Sequence, residues 1–355
     1  MQRANTRFSE SNAFPFRVRN GTTFRNVCAV LLLVALSATA AADPVADFYK
    51  GKTVRLTIGS AAGGEYDVLG RLIGKHIGKH IPGIPNVIAV NMPGAFALNQ
   101  ANHLYLNAGR DGTTIGTINN GLPLMEAVGG DGVRFKASEF EWIGSTSPIT
   151  TVIIAWHSKG VKTIDDARKT ELVVGALGRG NLTYAIPALM NDLIGTKFKI
   201  AVGYRGGAEI DLAMERGEVD ARMSNLRSIK DNWLREGSIN FLAQAGARST
   251  DKQLRPLPMV EDLARNDEDR AVVELILSGY KMGRPLAAPP GVPPERLAAL
   301  RKAFDALTKD PEFLQDAKTV NLDVEPIQGA PLQAIMDALQ RMPKVVAQRA
   351  KRYFE

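Results

Sequence analysis

The sequence predicts an α/β chain built as two lobes, each around a sheet whose strands end in short loops of small polar residues. Three observations predict it. Apolar runs of strand length alternate with amphipathic stretches of helix length, the pattern of parallel β-α-β units. The alternation occurs twice, from Thr53 to Gly121 and again from Leu172 to Met223. Beyond an export segment, roughly 310 residues remain, more than one core usually serves.

The export segment is residues 1–42. Arg3, Arg7, Arg17, Arg19 and Arg25 form a basic region, 27–36 is apolar, and Ala38-Thr39-Ala40-Ala41-Ala42 offers small-residue cleavage sites. The apolar run is too short to span a bilayer. Cleavage near Ala42 and a periplasmic protein are expected. The single cysteine of the chain, Cys28, lies in this segment, so the mature chain has no thiol or disulfide chemistry. The formal charge of +7 is also mostly the segment's: it holds five of the 44 basic residues and one of the 37 acidic ones, leaving 39 against 36. That near balance, without basic clusters interleaved with aromatics, argues against nucleic acid.

The first unit opens with the strand Thr53–Ile58, where Val54, Leu56 and Ile58 share a face. A loop, Gly59-Ser60-Ala61-Ala62-Gly63-Gly64, leads into a helix with Leu69, Leu72, Ile73 and Ile77, and Val68, on one stripe. Asp67 is expected as its N-cap, and Asp67, Arg71, Lys75 and Lys79 as its polar face. Such a loop exposes amide groups at the positive end of a helix, which suits an anionic group. Neither G-x-G-x-x-G nor a Gly-Lys-Ser/Thr signature fits these glycines, so nucleotide fingerprints are excluded. An ordinary tight turn is the competing reading of the loop.

Strands at Asn86–Val90 and Thr114–Ile118 follow, the latter ending at Asn119-Asn120-Gly121, and Trp142–Gly144 and Thr151–Trp156 lead away from this lobe. The second series has a strand at Leu172–Ala176, a loop from Leu177 to Thr183, and a helix at Tyr184–Ile194. It continues with a strand at Lys199–Val202, a helix at Ala208–Arg216 and a strand at Val219–Met223. The return begins near Leu275-Ile276-Leu277 and passes five prolines between 285 and 294, a stiff connector. A last helix, Leu332–Tyr353, is expected to kink at Pro343. The lobes are therefore drawn as residues 43–149 with 278–355, and 150–277. The segments near Ser145–Thr151 and Leu277–Pro285 would be the hinge.

Catalytic chemistry finds little support. His76 and His80 stand one helical turn apart, but the glutamate of a zincin helix is absent and no third ligand is near, so a solvated face is expected rather than a metal site. His157 beside a Ser-Lys-Gly turn reads as structural. No G-x-S-x-G occurs, Ser249-Thr250-Asp251-Lys252 is an isolated S-x-x-K in a polar loop, and the acidic runs at 165–166 and 267–269 form no acid/base dyad. No cofactor, metal or catalytic residue is assigned. What remains are the loops at strand ends, which facing each other would make a binding site from backbone amides.

These loops carry a resemblance. Gly63-Gly64-Glu65-Tyr66-Asp67 with Arg71, Asn91-Met92-Pro93-Gly94-Ala95, Asp111-Gly112-Thr113 and Phe140-Glu141-Trp142-Ile143-Gly144-Ser145 are its anchors in the first half. Gly203-Tyr204-Arg205-Gly206, 215–220 (Glu-Arg-Gly-Glu-Val-Asp) and Pro289-Pro290-Gly291-Val292-Pro293 with Arg296 and Leu297 continue it. In this order, from about Asp47 to Phe354, the chain resembles the solute receptors of tripartite tricarboxylate transporters, the Bug-type periplasmic binding proteins.

The resemblance implies a type II, Venus-flytrap fold that closes on a small carboxylate gripped largely by main-chain groups of two loops. Here those are Ser60, Ala61, Gly63, Gly64 and Glu65 in the first lobe and Gly178, Arg179, Gly180, Asn181 and Thr183 in the second. Asn119, Tyr204 and Asn225 complete the candidate set. Arg179 either pairs with a ligand carboxylate or faces solvent at the rim. The implied partners are a small organic acid and integral-membrane permease subunits, with the receptor a monomer. A receptor feeding a signalling partner, or an exported enzyme on the same fold, are the alternatives. Two positions depart from the family: Phe96 stands where glycine is usual, either restricting ligand size or packing into the core, and Glu65 where many relatives have a small residue.

Overall fold

The computed structural model of the chain describes residues 43–179 and 181–354. The expected signal segment, residues 1–42, and the candidate Gly180 lie outside the described residues, as does Glu355.

Helix α1 (Pro44–Tyr49) precedes strand β1 (Thr53–Ile58), helix α2 (Glu65–Ile77) and strand β2 (Asn86–Asn91). Helix α3 (Leu98–Leu106), strand β3 (Thr114–Thr117), helix α4 (Leu122–Ala127) and strand β4 (Glu141–Ser145) follow. The chain then crosses to a second sheet through β5 (Thr150–Trp156), α5 (Ile164–Lys169), β6 (Leu172–Ala176) and α6 (Leu182–Ile194). That lobe continues with β7 (Phe198–Val202), α7 (Gly207–Glu215), β8 (Ala221–Asn225), α8 (Asp231–Glu236), β9 (Ile239–Gly246) and the long helix α9 (Asp267–Met282). The return brings β10 (Pro285–Ala288), α10 (Pro294–Leu307) and α11 (Pro311–Thr319). It ends with β11 (Ile327–Gln328), α12 (Gly329–Gln340) and α13 (Lys344–Lys351).

The first sheet is ordered β11-β4-β10-β3-β1-β2 and the second β7-β6-β8-β5-β9. The strand-loop-helix units pair in parallel, β1 with β2 and β3, and β6 with β7 and β8. Strands that carry the chain between lobes run antiparallel: β10 between β3 and β4, and β5 between β8 and β9. A strand arriving from the other lobe has no crossover helix to reverse it, so the sheets are mixed rather than wholly parallel.

Each sheet is covered on both faces. Leu56, Ile58, Ile73, Leu300 and Phe304 form one core of the first lobe, and Leu104, Phe140, Trp142 and Leu332 the other. Helix α2 approaches β1 closely at Gly70, where an added Cβ would press on Ile58. The second lobe has Val174, Ile186, Met190 and Leu275 on one side, and Ile154, Ile210, Met214 and Trp233 on the other.

Several expectations are corrected. Helix α2 starts at Glu65, with Gly64 at the N-cap position and no side-chain cap. Asp67 is instead a buried third helical residue: it accepts the Gly63 amide at 2.8 Å and the Asn91 Nδ2 at 2.8 Å, and pairs with Arg71 at 2.9 Å. Its carboxylate still reaches back over the loop and ties it to the end of β2. Val68 is exposed, not in the stripe. His76 is buried, not solvated, and contacts Asp316 at 2.8 Å, while His80 contacts Asp310 at 2.9 Å. The 277/278 boundary falls inside α9, and the chain crosses back only after Met282. Lastly, 332–353 is two helices: Pro343 is the N-cap position of α13, whose Val346 and Ala350 join the core of the second lobe. Among the described residues, no helix is long and apolar enough to cross a membrane.

Candidate functional site

The carboxyl ends of β1, β3, β6 and β8 carry loops from both lobes to one cavity of about 630 Å³. Glu65, Tyr66, Asn119 and Asn120 line it from the first lobe. Thr183, Gly207, Asp211, Arg222, Ser224, Asn225 and, from α9, Tyr280 line it from the second, with Arg284 from the returning segment. A recess of about 190 Å³ opens in the first lobe between Gly59, Ser60, Tyr66, Phe96, Thr117 and Asn119. A neighbouring chamber of about 720 Å³ shares Glu65, Ile149, Asn225 and Arg284 with the cavity.

Two ion pairs set the electrostatics. Arg222 and Asp211 are both buried and bonded to each other, and Arg222 also donates to the carbonyls of Gly207 at 2.7 Å and Met223 at 3.2 Å. Arg284 donates through Nε to Glu65 Oε1 at 2.6 Å, and through Nη2 to the same oxygen. Tyr66 accepts the Asn120 amide at 3.0 Å, and burial pushes its phenol up to about 12. Burial likewise raises Tyr280. Both tyrosines are therefore neutral donors near neutral pH. The linings of these three cavities contain no histidine or cysteine. Ser60 Oγ and Thr117 Oγ1 are buried with no hydrogen-bond partner among the described residues, and both belong to residues lining the recess. Buried hydroxyls left without partners are costly, which marks the recess as a place where a polar group is wanted.

Of the residues singled out from sequence, Ser60, Glu65, Asn119, Thr183 and Asn225 line these cavities. Others are turned elsewhere. Gly63 donates its amide to Asp67, and Gly64 donates to the Ala61 carbonyl at 3.2 Å. The loop amides of Gly59, Ser60, Ala61 and Ala62, with those of Glu65 and Tyr66, have no partner among the described residues. In the second loop, Asn181 Oδ1 caps α6, accepting from the amide and the hydroxyl of Thr183 at 2.9 Å each. Gly178 is half-buried and accepts the Asn181 amide at 3.1 Å. Arg179 is exposed, donates to the Tyr184 hydroxyl at 3.0 Å and lies over that ring at 5.2 Å. Tyr204 is half-buried against the core containing Trp233. Phe96 is not a core residue: it is 68% exposed and its ring walls the recess.

Sequence reasoning missed Tyr66, Thr117, Arg222, Tyr280 and Arg284. Arg222 had a readable signal, since a lone arginine within the run Ala221-Arg222-Met223-Ser224 must find a buried partner. Arg284 had none, because it sits among prolines that read as a connector.

No protein-family model matches the chain, and no curated protein does. Solved structures do. A TctC solute-binding protein from Polaromonas superposes with a TM-score of 0.68 at 20% identity, over 86% of this chain and 99% of that one. The periplasmic binding protein BugD gives 0.55 at 19% identity, over 86% and 98%. MatC from Rhodopseudomonas palustris, with bound malate, gives 0.53 at 21% identity, over 85% and 98%. This is a periplasmic-binding-protein fold.

Proposed function

We propose that this chain is a periplasmic solute receptor of the tripartite tricarboxylate-transporter kind, which closes its two lobes on a small organic carboxylate. The observation that carries the reading is the cavity itself: both lobes line it, arginines face it, and unpartnered hydroxyls and loop amides stand at its first-lobe end. MatC with its bound malate, on the same fold, supports a carboxylate as the ligand class. The arrangement suits binding more than reaction. Its arginines are paired with carboxylates and its phenols are held neutral, so no group is poised as nucleophile, acid or base. We take residues 1–42 as the export signal, membrane permease subunits as the partner, and a monomer as the working state. The first-lobe grip belongs to Ser60, Ala61, the Glu65 main-chain amide and Asn119, the second-lobe grip to Thr183 and Asn225, and Arg179 to the rim.

A thermal-shift screen of mono-, di- and tricarboxylates tests this. A ligand at a hundred times its Kd should stabilise the mature chain by about 2.7 kcal/mol. A cognate acid should also reduce the radius of gyration in solution scattering, as the lobes close. Absence of any shift across the panel at millimolar concentration would overturn the carboxylate reading.

A further inference from the structure

We propose that Arg284 is the anchor for a ligand carboxylate and that Glu65 occupies it as an internal stand-in, which the ligand displaces. The inference rests on the carboxylate-receptor reading above and names the residue that makes it selective.

The geometry of the pair is lopsided. The Arg284 side chain is only 10% exposed, whereas that of Glu65 is 63% exposed. Guanidinium does not shed its charge, and a charge so far from water needs an opposite one beside it. Arg284 therefore wants a carboxylate in every state of the receptor. Glu65 supplies one from outside, reaching in from the first position of α2. Once released, it returns to water at the positive end of that helix, where an anion is favoured. Displacing it costs the pair but buries no new charge.

The guanidinium is also under-used. Both contacts from Glu65 fall on Oε1, through Nε and Nη2, and the Nη1 contact to Ser147 Oγ is long at 3.5 Å. Five donors in a fixed fork can hold a carboxylate through two oxygens, so a ligand can satisfy Arg284 better than Glu65 does. Position is already fixed, because the Arg284 amide donates to Ser145 Oγ at 2.9 Å. The cleft's other pair offers no such exchange. Arg222 and Asp211 are 6% and 10% exposed, and the Met223 and Gly207 carbonyls accept from Nε and Nη1 of the arginine.

The pair also stands between two spaces. Glu65 and Arg284 both line the cleft and the adjoining chamber, so a Glu65 that swings away opens the guanidinium to whatever fills the cleft. An internal competitor of this kind lowers apparent affinity by the fraction of time it holds the site. It also sets a threshold: a ligand without a carboxylate gains nothing by entering, since it cannot replace what it removes.

Calorimetric titration of the mature chain and its Glu65→Gln variant with acetate, malate and adipate, and with malamide as the uncharged counterpart, tests the proposal. Glu65→Gln should tighten the binding of whichever acid binds the parent by about tenfold, and leave malamide non-binding. Arg284→Gln should weaken the same acid by more than about tenfold. If that variant fails to fold, the double variant Glu65→Gln/Arg284→Gln, which leaves no orphan charge, takes its place with the same expected loss. A parent that binds an acid, together with a Glu65→Gln variant that binds it equally or more weakly, overturns the stand-in and leaves the receptor reading intact. Silence of both proteins toward all three acids overturns both.

Discussion

Asp67 shows how much a single carboxylate can organise. Burial pushes its pKa up, but hydrogen bonds from Arg71, the Gly63 amide and Asn91 outweigh that, and it settles at about 2 against an ordinary 3.8. A carboxylate so depressed stabilises the fold fully above about pH 4, and that contribution is lost as pH falls through about 2. Asp67→Asn should cost about 1–3 kcal/mol near neutral pH, because three donors lose a charged acceptor. It should also flatten the acid limb of stability. Denaturant unfolding at a series of pH values checks both, and an unchanged acid limb would place the titration elsewhere. From sequence, Asp67 was legible as a helix-start residue, since the type and place are those of a cap. That it serves the third position and the neighbouring strand was not, because Asn91 arrives only through the β1–β2 pairing.

Elements were legible where their signal is local. The strand-loop-helix units of both lobes declare themselves by periodicity within a dozen residues. Helix α9 did not: its apolar residues 275–277 read as the start of an extended return, and only packing on the second sheet shows them as part of a helical face. The face of α2 that carries His76, continued past the helix end by His80, was misread for a similar reason. Its partner α11 lies more than 200 positions away, and brings Asp310, Glu312 and Asp316 against Lys75, His76, Lys79 and His80. The crossing segments have their own demand. Gly283 adopts φ +70° and ψ −116°, and an added Cβ would overlap the Ser147 carbonyl oxygen. Gly283→Ala should therefore cost about 3 kcal/mol or more. A thermal melt unchanged from the parent would show that the two crossing segments can part without penalty.

Across the whole molecule, three passages of chain join the lobes, near 145–150, 282–285 and 340–344. The last is the least expected from sequence. Helix α12 lies on the first lobe, while α13 packs on α9, where Arg349 pairs with Asp269 at 2.6 Å and with Glu268 at 2.9 Å. Tyr353 adds a hydrogen bond from its hydroxyl to Asp192 at 2.5 Å. A chain ended after Met342 should keep the first-lobe core but melt in two calorimetric steps, the earlier belonging to the second lobe. A single step at the parent temperature would show that α13 adds nothing. The feature also has a consequence in time. The second lobe is encoded in the middle of the chain, yet Val346, Ala350 and Tyr353 complete its core. Synthesis proceeds from the amino terminus, and domains ordinarily fold in that order. Here part of the middle lobe's core is supplied by residues 344–354, so a nascent chain should hold that lobe loosely until they are made.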